Sequence, residues 1–148
     1  MVKILFVCHG NICRSVMAEY VMNEMIRQKG AEELFEIDSA ATSREEIGNR
    51  IYPPADRKLR KEGIPVGEHR ARQMTLRDYD YFDRIYIMDQ YNMRNLRRII
   101  GEDRENKVRY LIDRDVADPW YTGDFDSTFR DVTEGCMNIL NEVLGESE

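Results

Sequence analysis

Residues 6 to 15, FVCHGNICRS, place two cysteines, a glycine, an asparagine and an arginine in one short run. Cys8 precedes Arg14 by six positions, and the residues between them include types that favour tight turns. A thiolate is a strong nucleophile, and a planar guanidinium can hold two oxygens of one phosphate group. The residue types therefore indicate nucleophilic chemistry on a phosphorylated ligand.

This run lies where a predicted strand meets a predicted helix. Residues 3 to 8 form a continuous apolar and β-branched series, which is typical of a strand buried on both faces. Apolar residues then recur at helical spacing from Ser15 as far as the C-terminal signal Lys29-Gly30. Open α/β sheets bind ligands at such strand ends, and helix N-termini favour phosphate.

The individual loop residues suit this placement. Gly10 and Asn11 tolerate positive φ, so we expect both to curl the backbone and turn its N–H groups inward as an anion nest. The same N–H groups and Arg14 would stabilise a thiolate on Cys8. Ser15 would either donate its hydroxyl to that thiolate or cap the helix.

The rest of the chain alternates between predicted strands and helices. Residues 34–39, 84–88 and 107–112 are further strand candidates, and the intervening segments are long enough for crossovers, which predicts a parallel sheet. Residues 41–53 form a predicted loop of a length that often makes a site wall, followed by a short basic helix over 55–62. The last segment is a predicted amphipathic helix whose buried stripe includes Cys136, which favours a core role for that thiol. The stripe consists of Phe125, Phe129, Val132, Cys136, Ile139, Leu140 and Val143.

Length and composition limit the number of domains, the class of ligand and the expected location of the protein. A chain of 148 residues predicts a single domain over residues 1–148. A formal net charge of -6 argues against a general nucleic-acid binder. Three cysteines without a metal-knuckle spacing indicate a reducing compartment. The opening MVKILFV is too short for a signal peptide, and no stretch reaches the ~20 apolar residues of a membrane span, so we expect a soluble cytoplasmic protein that is a monomer or a weak dimer.

VCHGNICRS resembles the phosphate-binding loop of the low-molecular-weight protein tyrosine phosphatases, with the match carried by Cys8 and by Gly10 to Ser15. That family also has an Asp-Pro-aromatic motif near its C-terminus, and this chain has DPWYTGDF from Asp118. Chain length, strand pattern and motif separation agree, so the resemblance covers essentially the whole chain. It implies a three-layer α/β/α fold with a four-stranded parallel sheet in the order 2-1-3-4 and the phosphate-binding loop after the first strand.

The resemblance also implies a mechanism and its residues. Cys8 would attack phosphorus, Arg14 would bind the phosphate oxygens, and Asp118 would act as general acid and then as general base. An ordinary Asp-Pro turn is the alternative reading of Asp118 when it is taken alone. Trp120 and Tyr121 would hold the aromatic ring of a phosphotyrosine substrate. No cofactor and no metal are needed for this reaction.

Other residues are implied in binding substrate. The set comprises His9, Gly10, Asn11, Ile12, Cys13, Ser15 and Glu45. The apolar wall of Ile12 favours phosphotyrosine, whereas relatives resembling protein-arginine phosphatases carry a threonine there. A solvent-exposed loop residue is an equally good account of His9. Glu45 stands where several relatives have an aromatic residue, and its charge opposes that of Arg44, so the peptide preference stays open.

Three residues are implied in support of the loop, and Cys13 has a second implied role. Ser39 and His69 would share a hydrogen-bond network with Asn11, although one inserted residue shifts the register near His69. Asp89 would lie near the site, and a helix cap is an equally good account of it. Under oxidation, Cys13 would form a disulfide with Cys8; the alternative is a small buried residue packed under the loop.

Competing functions differ in the residues they require. An arsenate reductase on the same scaffold needs two more cysteines after the third strand, and residues 82–100 contain none. A phosphocysteine carrier needs neither Arg14 nor a leaving-group acid, and a phosphotyrosine-binding module without catalysis has no use for Cys8. A zinc site built from Cys8, His9 and Cys13 lacks a fourth ligand.

Overall fold

A four-stranded parallel sheet lies at the centre of the protein in a computed structural model that describes residues 1–145. Its strands are β1 (Val2–Cys8), β2 (Phe35–Ala41), β3 (Arg84–Ile87) and β4 (Val108–Tyr110), in the order β2-β1-β3-β4. The expected parallel sheet and its strand order are therefore confirmed. Because β1 pairs on both sides, its C-terminal residue Cys8 lies opposite Ala41, and Val7 lies opposite Ile87.

The part of the chain that the structure describes has six α-helices, which flank this sheet, and one short 3₁₀ helix over Glu32–Leu34. The α-helices are α1 (Arg14–Gln28), α2 (Pro53–Lys61), α3 (Leu76–Tyr81), α4 (Gln90–Ile100), α5 (Pro119–Thr122) and α6 (Phe125–Leu144).

Alternation along β1 separates the two cores. Ile4, Phe6 and Cys8 point to the face covered by α1, α2 and α6, whereas Leu5 and Val7 point to the face covered by α3 and α4. All five side chains are buried, which confirms the expected strand buried on both faces. The result is the three-layer arrangement that the sequence predicts.

Several element boundaries differ from the sequence predictions. β2 runs over Phe35–Ala41 rather than 34–39, β3 ends at Ile87 rather than at residue 88, and larger differences occur at β4 and α2. β4 ends at Tyr110 rather than at residue 112, because Leu111 and Ile112 are both buried in the core next to α6. Consecutive strand residues point to opposite faces, so two neighbours in one core require the extended backbone to end. α2 begins at Pro53 rather than at residue 55, since proline suits the first turn of a helix.

The predicted stripe of α6 packs against the sheet and α1. Val132, Cys136, Ile139 and Leu140 are buried. Phe125, Phe129 and Val143 are partly buried against the same core. Gly135 allows a close approach, because a Cβ placed there would stand 2.4 Å from Leu111 Cγ. No helix within residues 1–145 is both long and apolar enough to cross a membrane.

Candidate active site

The loop between β1 and α1 wraps around the sulfur of Cys8. The backbone N–H groups of Asn11 and Ser15 donate to Cys8 Sγ at 3.3 Å and 3.4 Å. Ser15 Oγ lies 3.0 Å from the same sulfur. The helix begins at Arg14, and its N-cap Cys13 has no side-chain capping bond, so Ser15 serves the sulfur rather than the cap. This geometry stabilises negative charge at Cys8 Sγ or on a group bound next to it.

Asn11 holds the loop in shape. Its φ of 61° is the left-handed conformation that the curl requires. Its side-chain amide donates to Ser15 Oγ at 2.8 Å and to Ser39 Oγ at 2.9 Å, while its Oδ1 accepts from Arg72 N at 3.2 Å. His69 Nε2 lies 2.6 Å from the Asn11 carbonyl oxygen. Because Asn11 occupies an acceptor position of Ser15 Oγ, the Ser15 hydroxyl hydrogen is free to point at Cys8.

The conformation expected for Gly10 is wrong. Asn11 has a positive φ, whereas Gly10 is not among the residues of positive φ in the described chain. Gly10 instead relieves crowding, since a Cβ there would stand 3.3 Å from Glu46 Cγ. Glycine at this position therefore provides space between the loop and the neighbouring wall.

The hydrogen-bond network continues beyond Ser39 to a carboxyl group. Ser39 Oγ donates to Glu19 Oε1 at 2.6 Å. Burial raises the pKa of Glu19 to about 7, against the opposing effect of the Ser39 hydrogen bond. His69, on the other side of Asn11, has its pKa lowered by burial, so its neutral form donates Nε2–H to the Asn11 carbonyl.

Arg14 is almost completely buried and is fixed by three acceptors. Its Nη1 donates to Asp89 Oδ2 at 2.6 Å and to the Val116 carbonyl at 2.8 Å, and its Nη2 lies 3.3 Å from Asp118 Oδ2. These contacts leave the Nε–H and one Nη2–H, which share one edge of the guanidinium and suit two phosphate oxygens. Burial lowers the pKa of Arg14, but negative charge at Cys8, Asp89 and Asp118 outweighs it and the net shift is upward. The cation is therefore in place before any ligand binds.

Asp89 and Asp118 each combine two functions. Asp89 caps α4 in a reciprocal capping box with Asn92, and its other carboxylate oxygen pairs with Arg14. Asp118 caps α5 by accepting from Trp120 N at 3.0 Å, and its second oxygen faces Arg14. Each of the two aspartates therefore caps a helix and also lies at the site.

A cavity of about 110 Å³ opens beside Cys8. Ile12 forms part of its wall, and Trp120 and Tyr121 stand at its rim with exposed fractions of 51% and 83%. The Trp120 ring packs against Tyr52 with 4.7 Å between the ring centroids. An aryl ring entering this cavity would meet Ile12 and the indole.

His9 and Glu45 meet at the mouth of the cavity. His9 Nε2 lies 3.1 Å from Glu45 Oε2; the His9 side chain is partly exposed and that of Glu45 largely exposed. His9 therefore lines the cavity and contacts solvent at once. Glu46 also lines the cavity, a residue that the sequence reasoning missed.

Cys13 lines the same cavity as Cys8 and is 4% exposed. It packs with Ile12 and Ala71 beneath the loop. Burial, with the negative charge at Cys8 as the next cause, raises the pKa of the Cys13 thiol. Cys13 is therefore a protonated thiol close to the nucleophile candidate. All three cysteines are free.

Metal-binding geometry is not found within residues 1–145, where no group of three or more histidine, cysteine, aspartate or glutamate side chains could hold an ion. The groups gathered at the cavity are instead a sulfur under N–H donors, a fixed guanidinium and a facing carboxylate.

Such a site, at the end of the central strand of a doubly wound sheet, defines a cysteine-dependent phosphate-binding enzyme class. Residues 3–148 match the family described as low molecular weight phosphotyrosine protein phosphatase. The phosphatase YfkJ of Bacillus subtilis is 36% identical over all of this chain and 99% of its own, and its crystal structure superposes with a TM-score of 0.94 over 98% of that structure. The human low molecular weight phosphotyrosine protein phosphatase is 39% identical over 96% of this chain and 93% of its own. The chain belongs to the low molecular weight phosphotyrosine protein phosphatase family.

Proposed function

We propose that this protein hydrolyses phosphotyrosine in protein substrates, and small aryl phosphates, through a cysteinyl-phosphate intermediate. The observation that carries the proposal is the convergence of Cys8, Arg14 and Asp118 on one cavity. Cys8 ends β1, Arg14 begins α1 and Asp118 caps α5. Each of the three has a distinct task in phosphoryl transfer. Family membership supports the same activity.

In the first step, the Cys8 thiolate attacks phosphorus in line with the aryl oxygen. An S–P bond forms, the P–O bond to the phenol breaks, and the carboxyl proton of Asp118 passes to the departing phenolate oxygen. The free edge of Arg14 and the loop N–H groups hold the equatorial oxygens, whose charge is greatest in the transition state. Ser15 Oγ lies 3.0 Å from the sulfur and would donate its hydrogen to the attacking thiolate.

In the second step, Asp118 is a carboxylate and acts as general base. It takes a proton from a water molecule as the water oxygen attacks phosphorus, and the S–P bond breaks. Inorganic phosphate leaves, and the Cys8 thiolate is restored with the same N–H donors around it. Neither step uses a metal or a cofactor.

The shape of the cavity favours an aryl substrate. Ile12 is an apolar β-branched wall, and Trp120 offers a flat indole at the rim. A phosphoarginine side chain would place a charged guanidinium against the apolar side chain of Ile12, which costs desolvation. Phosphotyrosine is therefore the preferred substrate class over phosphoarginine.

The proposal is tested by steady-state kinetics on three matched peptides that carry phosphotyrosine, phosphoserine or phosphoarginine at one position. We expect phosphotyrosine to have the highest kcat/KM and Cys8→Ser to abolish turnover. Cys136→Ser is the matched control, because Cys136 is buried in α6 away from the cavity. Hydrolysis that survives in Cys8→Ser at the parent rate would refute the mechanism, and dominant phosphoarginine turnover would refute the substrate assignment.

Cys13 protects the nucleophile in this proposal. Peroxide oxidises the Cys8 thiolate to a sulfenic acid with release of water, and the Cys13 thiol then displaces that oxygen as a second water to form a disulfide. Burial of both sulfurs in one cavity supports this pairing. A site that depends on a free thiolate fits a reducing compartment, so we propose the cytoplasm as its location. A single domain over residues 1–148, acting as a monomer or a weak dimer, completes the proposal.

A further inference from the structure

A second cavity, of about 690 Å³, lies next to the catalytic loop and is lined by residues between 49 and 70. We call it the arginine groove. Its lining includes four exposed arginines and two acidic residues, together with His69, which holds the catalytic loop through Asn11. The charged residues are Arg50, Arg57, Arg60, Arg70, Asp56 and Glu68.

The charge of the groove is opposite to that of the whole protein. The formal net charge of the chain is -6, whereas the groove carries four arginines against two acids. Arg60 is paired with Asp56. Within residues 1–145, the side chains of Arg50, Arg57 and Arg70 have no ion pair. Three unneutralised guanidinium groups therefore face one cavity.

Guanidinium groups bind carboxylates through two parallel hydrogen bonds. A run of glutamate or aspartate side chains matches a row of arginines better than a single small anion does, because several carboxylates are engaged at once. The groove is thus the surface that an acidic peptide would occupy.

One loop lines both the groove and the catalytic cavity, at different positions. Glu45 and Glu46 line the catalytic cavity, and Asn49 and Arg50 line the groove only a few residues further along the same loop. Four residues of chain span at most ~14 Å. The rim of the groove at Arg50 therefore lies within the reach of about four extended peptide residues from the rim of the catalytic cavity at Glu46.

We propose that the arginine groove binds the carboxylates of an acidic segment in the phosphoprotein substrate, at four or more residues from the phosphotyrosine. This inference rests on the proposed phosphatase function and specifies its substrate class. Glu45 and Glu46 disfavour acidic residues directly beside the phosphotyrosine, so the preference depends on position. The opposing charges of Glu45 and Arg44 leave the peptide preference open, and the groove makes it depend on the distance between the acidic residues and the phosphotyrosine.

The test uses phosphotyrosine peptides of equal length. One has neutral flanks, one carries four glutamates starting four residues from the phosphotyrosine on the N-terminal side, one has them on the C-terminal side, and one has glutamates directly beside it. The kcat/KM of each is measured at low and at physiological ionic strength. The variant Arg50→Gln/Arg57→Gln/Arg70→Gln removes the unpaired cations of the groove.

The matched control is Arg97→Gln/Arg98→Gln/Arg104→Gln. These arginines are exposed, and the first two lie on α4, which covers the opposite face of the sheet from α2. The control changes the net charge by the same amount as the groove variant. Free phosphotyrosine, which is too short to reach the groove, reports the catalytic cavity alone in both variants.

We expect one of the two distal acidic peptides to exceed the neutral peptide about tenfold in kcat/KM at low salt, since each exposed arginine contributes a factor of ~2 to 5. The advantage shrinks as ionic strength rises, disappears in the groove variant and persists in the control. No distal preference in the parent protein, or an equal loss in both variants, would overturn the groove assignment while phosphotyrosine hydrolysis continues. Failure to hydrolyse any phosphotyrosine substrate would instead refute the underlying function.

Discussion

Asp118→Asn separates the proposed acid from its structural surroundings. The asparagine retains an oxygen that can accept from Trp120 N, so the cap of α5 is kept. Arg14 retains Asp89 and the Val116 carbonyl, so the guanidinium stays fixed. What disappears is the proton for the leaving phenolate. We expect kcat/KM for phosphotyrosine, which reports the first step alone, to fall ~10²- to 10⁴-fold, equivalent to about 3 to 5 kcal/mol of transition-state stabilisation.

The assay compares leaving groups. Tyrosine leaves as a phenol of pKa ~10 and needs a proton, whereas a phenol of pKa ~4 to 5 leaves as the anion. The loss of kcat/KM in Asp118→Asn should therefore shrink below about tenfold for the activated substrate if Asp118 is the acid, because kcat/KM excludes the second step in which Asp118 acts as base. Asp115→Asn, at an exposed aspartate nearby, is the control and should retain the parent rate. An equal loss on both substrates would refute the reasoning, because a general fault in the site does not discriminate between leaving groups.

Three further variants test packing, burial and redox protection. Gly135→Ala forces a Cβ to within 2.4 Å of a leucine side chain and should lower the free energy of unfolding by about 1 to 3 kcal/mol in urea titrations, whereas Gly67→Ala, whose nearest contact would be 3.6 Å, should change it little. The folded-state pKa of Glu19 is raised from 4.5 to about 7, so its burial costs nothing below pH 4.5 and destabilises the fold increasingly up to pH 7. Glu19→Gln should therefore raise the free energy of unfolding above that of the parent protein, and this difference should be up to about 3 kcal/mol larger at pH 8 than at pH 4.5. A constant difference across pH would contradict this. Cys13→Ser should recover less activity than the parent when mild peroxide treatment is followed by dithiothreitol, and equal recovery would exclude the disulfide.

Most of the loop between β1 and α1 can be predicted from the sequence, because the residues that form it lie next to one another along the chain. A buried apolar strand, a turn and a helix start lie consecutively, so their relative positions follow from backbone geometry alone. The exception is Gly10, whose residue type predicts a positive φ. The structure shows a spatial reason instead, contributed by Glu46 on another segment, and sequence proximity gives no sign of such crowding.

Other features depend on tertiary contacts that have no local signal. Leu111 and Ile112 look like strand residues, yet their burial in one core ends β4 before them. The Val116 carbonyl that fixes Arg14 is a backbone group, so no residue type in the sequence predicts this contact. Arg50 and Arg70 are twenty positions apart in sequence and line one groove only because the chain folds.

The position of the nucleophile on β1 has a consequence for partial unfolding. β1 is hydrogen-bonded on both sides, whereas Asp118 stands at the start of the four-residue helix α5, next to the exposed Trp120 and Tyr121. Backbone amides of a doubly paired central strand exchange with solvent only when the whole sheet opens, while short peripheral elements open at far lower free energy. We therefore expect amide exchange to be slowest around the sulfur and much faster around the proton donor. Mild denaturant would then displace Asp118, the proposed acid, while the N–H donors around the sulfur of Cys8 are still in place.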